Sequence, residues 1–350
     1  MKSLNSITTE NKDIRYIEKK GRWVALLITL LGLGLLFLLM AFSITKGAVE
    51  IPLTSVWDSL LRFDESNTHH LIILDIRIPR VIASALVGAA FAVAGAIMQG
   101  ITRNPMADSG LLGINAGAGF ALSISFAFFP GMEYIQIILF SFLGAAFGAV
   151  LVNGIASLRR GKSTPMRLVL VGAAVTALLS SLSQGIALYF NVAQNIMFWT
   201  VGGVAGSNWE QIKIIFPWIM GALVGAIILS RYISISSLGE EVAKGLGLNT
   251  AMVNILSSII VLILAGASVS VVGAVGFIGL IVPHLSRYIV GLDYRNIIPV
   301  SAVLGGILVV VADLGARTLK PPVEIPIGSL IALVGVPFFL YLARKERGAV

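Results

Sequence analysis

The sequence predicts an all-α, polytopic membrane protein with about ten transmembrane helices. Its 350 residues are 57% hydrophobic, with 37 glycines in addition, and only 12% of them are charged. A water-soluble domain carries about 25% charged residues, so this composition excludes a soluble fold. The apolar residues also form long charge-free runs, and a helix needs about 20 such residues to cross the hydrocarbon core of a bilayer.

Nine charge-free stretches define the predicted spans. The longest, Gly245–Ser286, holds 42 residues and therefore predicts two helices with a turn near Val271–Gly273. The segment Phe190–Trp209 is rich in Gly, Asn and Gln, and we expect it to be re-entrant or buried in protein, because irregular backbone at membrane depth must avoid lipid. In chain order the other stretches are Trp23–Thr45, Val81–Thr102, Ser109–Met132, Tyr134–Leu158, Leu168–Phe190, Ile214–Ser230, Asn296–Ala312 and Ile325–Ala343.

The Lys and Arg residues predict the orientation of these spans. An even number of spans places both termini on one side, and 18 of the 25 Lys and Arg residues fall on that side. Because cytoplasmic loops carry the excess of basic residues, both termini are predicted to be cytoplasmic. Residues 1–22 and 344–350 are the predicted tails of a single membrane domain, 23–343. The net charge of +8 therefore reflects topology, and no nucleic-acid partner is expected.

The residue types that the chain lacks disfavour several kinds of chemistry. There is no cysteine and there are only three histidines, so neither a metal nor a cofactor is expected. Ionisable groups lie at span boundaries, and Gln99 and Gln184 are among the few strongly polar residues within spans. An ion-coupled transporter would need buried charges near the midplane, and an intramembrane enzyme would need clustered catalytic groups. No catalytic residue is predicted.

Glycine pairs at four-residue spacing predict close contacts between membrane helices. Gly144 with Gly148 and Gly221 with Gly225 have this spacing. Small residues let two backbones approach closely, which matters in lipid because burying Leu against another helix gains little there.

Several loop and span-end motifs occur in one order along the chain, and together they resemble the permease family of ABC importers for ferric siderophores, haem and cobalamin. The resemblance extends from about Arg77 to Arg344, although Met106 and Ser109 stand where relatives more often have Leu and Pro. The motifs are Arg77–Arg80 (RIPR), Gln99–Ala107 (QGITRNPMA), Leu238–Gly247 (LGEEVAKGLG), Gly276–Arg287 (GFIGLIVPHLSR), Ala312–Arg317 (ADLGAR), Glu324–Gly328 (EIPIG) and Gly335–Phe339 (GVPFF).

The resemblance implies a multi-pass, non-catalytic subunit of a bacterial cytoplasmic membrane, surrounded by lipid. Its partners would be a second permease, identical or related, a cytoplasmic ATPase dimer that supplies the energy, and an extracytoplasmic binding lipoprotein or periplasmic protein. The cargo would be a ferric siderophore, with haem or cobalamin as alternatives. An ion-coupled secondary transporter is the alternative from a different functional class.

Residues 236–250 are predicted to form a short cytoplasmic helical elbow. Ser236 or Ser237 is the predicted N-cap, and Gly245 is the predicted stop. A solvated connector is the alternative to a partner-binding element. By resemblance, the residues that couple this elbow to the ATPase are Gly239, Glu240, Ala243, Leu246 and Gly247.

Arg77, Arg80 and Arg317 border spans on the predicted outer side. In the family, arginines at the matching motif positions receive acidic residues of the binding protein, a role that suits guanidinium because it pairs with carboxylates in a bidentate manner. The alternative is internal pairing, of Arg77 and Arg80 with Asp75, and of Arg317 with Asp313 or Glu324.

The resemblance also implies that this permease forms half of a translocation path along the dimer axis. A glycine-rich, weakly interacting lining would suit release of cargo better than capture. The residues predicted to line or gate the path, together with the fifth span, are Gly202, Gly203, Gly206, Gly273, Gly276 and Gly279.

Overall fold

The computed structural model describes residues 2–47, 49–157, 165–201, 203–321 and 323–347, and the side chains of these except 2–20, 111, 157, 165–166, 198, 200–201, 342–343 and 345–347. The described part consists of helices and their connections. The α-helices are α1 (Lys2–Thr45), α2 (Leu53–Leu61), α3 (Thr68–Leu71), α4 (Ile78–Thr102), α5 (Ile114–Phe128), α6 (Tyr134–Ser157), α7 (Pro165–Tyr189), α8 (Ala193–Val201), α9 (Trp209–Ser237), α10 (Glu240–Gly245), α11 (Thr250–Val272), α12 (Ile278–Val290), α13 (Tyr294–Thr318) and α14 (Ile327–Arg347).

Ten of these helices correspond to the ten predicted spans. Seven are long and apolar enough to cross a membrane by length and composition, and α5, α12 and the first part of α14 are shorter apolar helices. The polar N-terminal segment is helical and continuous with the first span, since α1 begins at Lys2. The segment Phe190–Trp209 includes α8 and a 3₁₀ turn at Gly203–Gly206. Burial within this chain is not found for Asn191, Gln194 and Asn195, which are exposed, and a re-entrant path stays a prediction.

The long stretch Gly245–Ser286 divides into two helices at the predicted place. α11 ends at Val272, and Gly273 follows with φ of 74°. The connection 273–277 is irregular, and Phe277 at its end has φ of 69°. α12 has only 13 residues, roughly 20 Å, and so is too short to cross the hydrocarbon core by itself.

The central helix of the protein is α4. In its most apolar window, 78% of the residues are buried, against 6% for α1 and 22% for α7. Helices α9, α11, α12 and α13 surround α4. Its sequence between Ala83 and Gly100 is rich in Ala and Gly, so its backbone lies unusually close to its neighbours.

Three glycines of α4 face neighbouring helices without space for a side chain. A Cβ atom on Gly88 would lie 2.2 Å from the carbonyl oxygen of Gly305 in α13, and one on Gly95 would lie 2.2 Å from that of Gly279 in α12. At Gly100 the nearest atom would be a side-chain carbon of Ile233, at 2.6 Å. These contacts hold α12, α13 and α9 against the same central helix.

Glycine packing also joins α5 to α6, as the sequence predicts. A Cβ atom on Gly144 would lie 2.4 Å from the carbonyl oxygen of Gly117, and one on Gly148 would lie 2.3 Å from that of Gly113. The Gly221–Gly225 prediction is confirmed only for Gly225, where a Cβ atom would lie 3.4 Å from the side chain of Ile260 in α11. A Cβ atom on Gly221 would meet no atom within 4 Å, and Gly221 is exposed.

We expect Gly88→Ala to lower the stability of the protein by about 1–3 kcal/mol, because the added methyl group forces α4 and α13 apart. Thermal unfolding of the purified protein in detergent measures the loss. The matched control is Gly34→Ala in α1, where a Cβ meets nothing within 4 Å. Equal melting temperatures for the two variants would contradict the central role of this contact.

Candidate functional site

Two groups of polar residues lie at opposite ends of α4. Arg80 lies in its first turn, and Arg103 caps its end. The first group, the arginine cluster, comprises Arg77, Arg80, Asp313, Arg317 and Glu324. The second is the elbow, residues 236–250. Because α4 runs from Ile78 to Thr102, the two groups are separated by the full length of this helix.

Arg80 is the centre of the arginine cluster. Its Nε donates to Asp313 Oδ1 over 2.8 Å, and its Nη1 and Nη2 donate to the two carboxylate oxygens of Glu324 over 2.8 and 2.9 Å. Asp313 is fully buried and also lies 3.2 Å from Nη2 of Arg317, one turn along α13. A buried carboxylate must be paired, and here two arginines surround it.

The other arginines of the cluster hold the end of α1. Arg77 donates through Nη1 to the carbonyl of Ile44 over 2.6 Å and through Nη2 to that of Val49. Arg317 donates to the carbonyl oxygen of Ser43 over 3.1 Å and to the Ser43 hydroxyl. These backbone carbonyls have no further helical partner at a helix end, so the two arginines act as caps from outside the helix.

Internal pairing, the alternative considered for these arginines, is confirmed for Arg317 with Asp313. Arg80 also pairs internally, but its partners are Asp313 and Glu324 rather than the predicted Asp75. The partners of Arg77 are backbone carbonyls and not Asp75, which is exposed. All three arginines are at least 94% buried in this chain, with 5–6% of each exposed. Their docking to a binding protein stays a prediction.

Two of the glycine-rich segments predicted for the path meet at a small cavity of about 170 Å³. The 3₁₀ turn after α8, the end of α11 and the beginning of α14 form its walls. Gly203 has a φ of 59° and Gly273 has a φ of 74°. Both angles lie in the left-handed region, which favours glycine. The lining residues are Gly203, Val272, Ala274, Val275, Pro326, Gly328 and Ser329.

The predicted path glycines differ in their surroundings. Gly206 and Gly276 face open space, because a Cβ on either would meet nothing within 4 Å. Gly279 instead lies in the α4–α12 contact, buried against Gly95. Gly202 lies outside the described residues. Their role in lining or gating a path stays a prediction.

The elbow forms a short helix that ends at Gly245 as predicted, but its N-cap differs from the predicted one. Ser236 and Ser237 belong to the last turn of α9, and the N-cap of α10 is Gly239, whose φ of 124° suits glycine. The helix ends at Gly245 and is closed by Gly247 at φ of 79°.

This C-terminal closure is a Schellman motif. The N–H of Gly247 donates to the carbonyl of Lys244, and that of Leu248 donates to the carbonyl of Ala243, both over 2.9 Å. The closure explains why a glycine stands at position 247. It also fixes the direction in which the chain leaves the elbow.

The elbow exposes an apolar face. Leu238 and Leu246 are each 65% exposed, and Val242 between them is 50% exposed. Leu238 lies just before α10, Val242 lies within it and Leu246 follows it. Ala243, predicted to contact a partner, is fully buried against this chain. Sequence reasoning missed Leu238 and Val242.

Two polar contacts attach α9 and the elbow to the core. Arg103, left-handed at φ of 52°, donates through Nε to the carbonyl of Ser236 over 3.1 Å. Asp293 accepts from the Ser234 hydroxyl over 2.9 Å. Burial acts to raise the pKa of Asp293, but hydrogen bonds from Arg295 and Ser234 outweigh it and hold that pKa below its usual range. The Asp293 carboxylate is therefore ionised at neutral pH, where it accepts the hydrogen bond from Ser234.

Comparison with known proteins identifies the family. Residues 35–345 match the FecCD transport family, which is most of the chain. The chain belongs to the FecCD transport family. It is accordingly a multi-pass transport permease, and the resemblance inferred from the sequence motifs is confirmed.

Relatives within the FecCD family cover nearly the whole chain. The iron(3+)-hydroxamate import system permease protein FhuB of Bacillus subtilis (strain 168) is 47% identical over 346 residues, which are 97% of this chain and 90% of FhuB. The Fe(3+)-citrate import system permease protein YfmD of the same organism is 42% identical, over 93% of this chain and 94% of YfmD.

A solved structure has the same fold. It is a metal-chelate type ABC transporter in an inward-facing conformation, 28% identical, with a TM-score of 0.79 over 91% of this chain and 99% of that one. The ten-helix architecture of the FecCD chain is therefore that of an ABC transporter permease.

We expect Asp313→Asn to destabilise the protein by about 3–5 kcal/mol, because Arg80 and Arg317 would share a buried site without their common counter-charge. The measurement is thermal unfolding in detergent together with abundance in the membrane. Glu50→Gln is the matched control, since Glu50 pairs with Lys46 at the exposed surface, and we expect it to have no measurable effect. An Asp313→Asn variant as stable as this control would contradict a structural role for the cluster.

Proposed function

We propose that this FecCD permease is the non-catalytic membrane subunit of an ATP-driven importer for a ferric siderophore in the bacterial cytoplasmic membrane. Family membership over residues 35–345 is the observation that carries the proposal. Two permeases, identical or related, would enclose the path, each forming half of it. The excess of basic residues on the side of the termini supports a cytoplasmic position for both.

The apolar face of the elbow supports a cytoplasmic ATPase dimer as the source of energy. Three large apolar side chains, Leu238, Val242 and Leu246, are exposed on the elbow, outside the long spans. Exposed apolar patches bounded by polar groups are typical of protein–protein interfaces. Glu240 and Glu241 in the first turn of α10 favour this short helix through the helix dipole.

The attachment of the elbow supports transmission of ATPase movement into the membrane. Arg103 connects the end of α9 to α4, and Asp293 connects α9 to α13. A displacement of the elbow would therefore move the core helices rather than a flexible loop. Tilting of the two permeases would then alternate access between the two faces of the membrane.

The arginine cluster supports docking of an extracytoplasmic binding protein at the opposite end of α4. Three arginines face two carboxylates there, so the cluster has a surplus positive charge. Acidic groups of a binding protein would be attracted to this surplus. Of the three, Arg80 has the most accessible partner, since the Glu324 side chain is 43% exposed.

The path requires no metal ligands if the iron travels inside its chelator. Among the described residues there is no cluster of three or more His, Asp or Glu residues that could hold a metal ion. The cavity beside Gly203 and the α11–α12 connection supports this segment as part of the path. Small side chains and backbone there offer few groups to retain a chelate.

The relatives support ferric siderophore over the alternative cargoes. FhuB is named for iron(3+)-hydroxamate and YfmD for Fe(3+)-citrate, whereas haem and cobalamin are not among these names. A ferric hydroxamate is therefore the first substrate to test. An ion-coupled secondary transporter remains the competing class, and it requires accumulation without an ATPase.

We expect Leu246→Ser to reduce uptake per ATP hydrolysed at least severalfold, because a hydroxymethyl group removes most of the apolar contact at the elbow. The measurement is ferric hydroxamate uptake and ATPase activity of the complete transporter in proteoliposomes. Leu61→Ser is the control, since Leu61 is also highly exposed but lies in α2, away from the elbow. If both variants take up as much ferric hydroxamate per ATP hydrolysed as the native protein does, the elbow is a solvated connector.

We expect accumulation of ferric hydroxamate only when the second permease, the ATPase, the binding protein and ATP are all present. The reason is that charged groups suited to ion coupling lie at the ends of the spans and not at their centres. Radioactive iron retained in proteoliposomes measures the accumulation. A proton or sodium gradient applied without ATP is the control, and accumulation under that gradient would establish the secondary-transporter class instead.

A further inference from the structure

The guanidinium group of Arg80 has an inner and an outer edge with different partners. On the inner side Nε donates to Asp313, whose side chain is fully buried. On the outer side Nη1 and Nη2 form a bidentate pair with Glu324, whose side chain is 43% exposed. Asp313 therefore fixes the orientation of Arg80, and Glu324 occupies the edge that is directed outward.

These two partners differ in how readily another group could replace them. If the Asp313 carboxylate separated from Arg80, it would stay buried with one positive charge fewer beside it, which is strongly unfavourable. Glu324 is half in solvent, so its carboxylate can be rehydrated when it leaves Arg80. The outer edge is thus the exchangeable one.

The remaining arginines of the cluster offer no comparable edge. Arg77 is held by the carbonyls of Ile44 and Val49, and Arg317 by Ser43 and Asp313. A carboxylate that approached either would have to displace the backbone at the end of α1. An acidic group from outside therefore meets Arg80 with the least rearrangement of the fold.

We propose that Glu324 is an internal competitor for docking: its carboxylate occupies the outer edge of Arg80 until a carboxylate of the binding protein takes its place. The proposal rests on the proposed docking at the arginine cluster. The partner that fits this edge is a carboxylate side chain, since the edge presents two parallel N–H donors. Glu324 would keep Arg80 paired in the undocked transporter. It would weaken the binding of the docking partner by the free energy of the Arg80–Glu324 ion pair, which docking has to break.

The test is the affinity of the binding protein for the complete transporter in nanodiscs, measured for Glu324→Gln. We expect binding about twofold to fivefold tighter than for the native transporter, the range that loss of a half-exposed ion pair allows. The matched control is Glu65→Gln, which changes the net charge equally at an exposed position on the same predicted face. Equal affinities for the two variants, or weaker binding for Glu324→Gln, would overturn the proposal.

Two further variants make the test independent of expression problems and of long-range charge. Glu324→Asp keeps the charge but shortens the side chain. We expect this variant also to bind the binding protein more tightly than the native transporter does; an unchanged affinity would count against competition.

In the background of Arg80→Gln, the gain in affinity from Glu324→Gln should disappear, because the edge for which the two carboxylates compete is absent. A gain that persists there would show a general charge effect and refute the proposal.

The outcomes separate this inference from the proposed function. If the binding protein does not bind the native transporter at all, docking itself fails. If the native transporter binds and Glu324→Gln behaves like Glu65→Gln, only the competition by Glu324 is refuted.

Discussion

The close packing of helices around α4 is the constraint on which the rest of the structure depends. In lipid, apolar side chains gain little by leaving the bilayer for another helix, so contact has to come from tight fit between backbones. Gly88 against Gly305 and Gly95 against Gly279 provide this fit to α13 and α12. Because both neighbours pack on one helix, the arginine cluster at its beginning and the elbow at its end are attached to the same packed core.

The charges of this FecCD permease lie where the packing ends. Asp313 with Arg80 and Arg317 stabilises one end of the core, and Asp293 with Ser234 stabilises the other. Charges in these positions avoid the cost of burial at the bilayer centre. They also lie at the two ends of the core, where the proposed soluble partners would act. Arg80 has a different partner on each edge, since Nε pairs with the buried Asp313 while Nη1 and Nη2 pair with the partly exposed Glu324.

Sequence reasoning was accurate for properties that depend on neighbouring residues along the chain. The spans and the division of Gly245–Ser286 into two helices follow from charge-free length. Sequence reasoning failed to predict which side chains of the elbow are buried against the core and which are exposed. Ala243 and Val242 are adjacent and both apolar, yet Ala243 is buried and Val242 is half exposed. Which side of a six-residue helix faces the core depends on α9 and α11, and no local pattern contains that information.

The sequence by itself determined the number of membrane helices, the family and the place of the elbow, because hydrophobic length and ordered motifs are properties of the chain. Only the tertiary structure decided which partners satisfy the arginines. Arg80 and Glu324 are distant in sequence and form a bidentate pair, and Arg77 binds carbonyls at the end of α1. Such pairing depends on which helix ends meet, and this is decided by the packing of glycines between helices rather than by the residues next to each arginine.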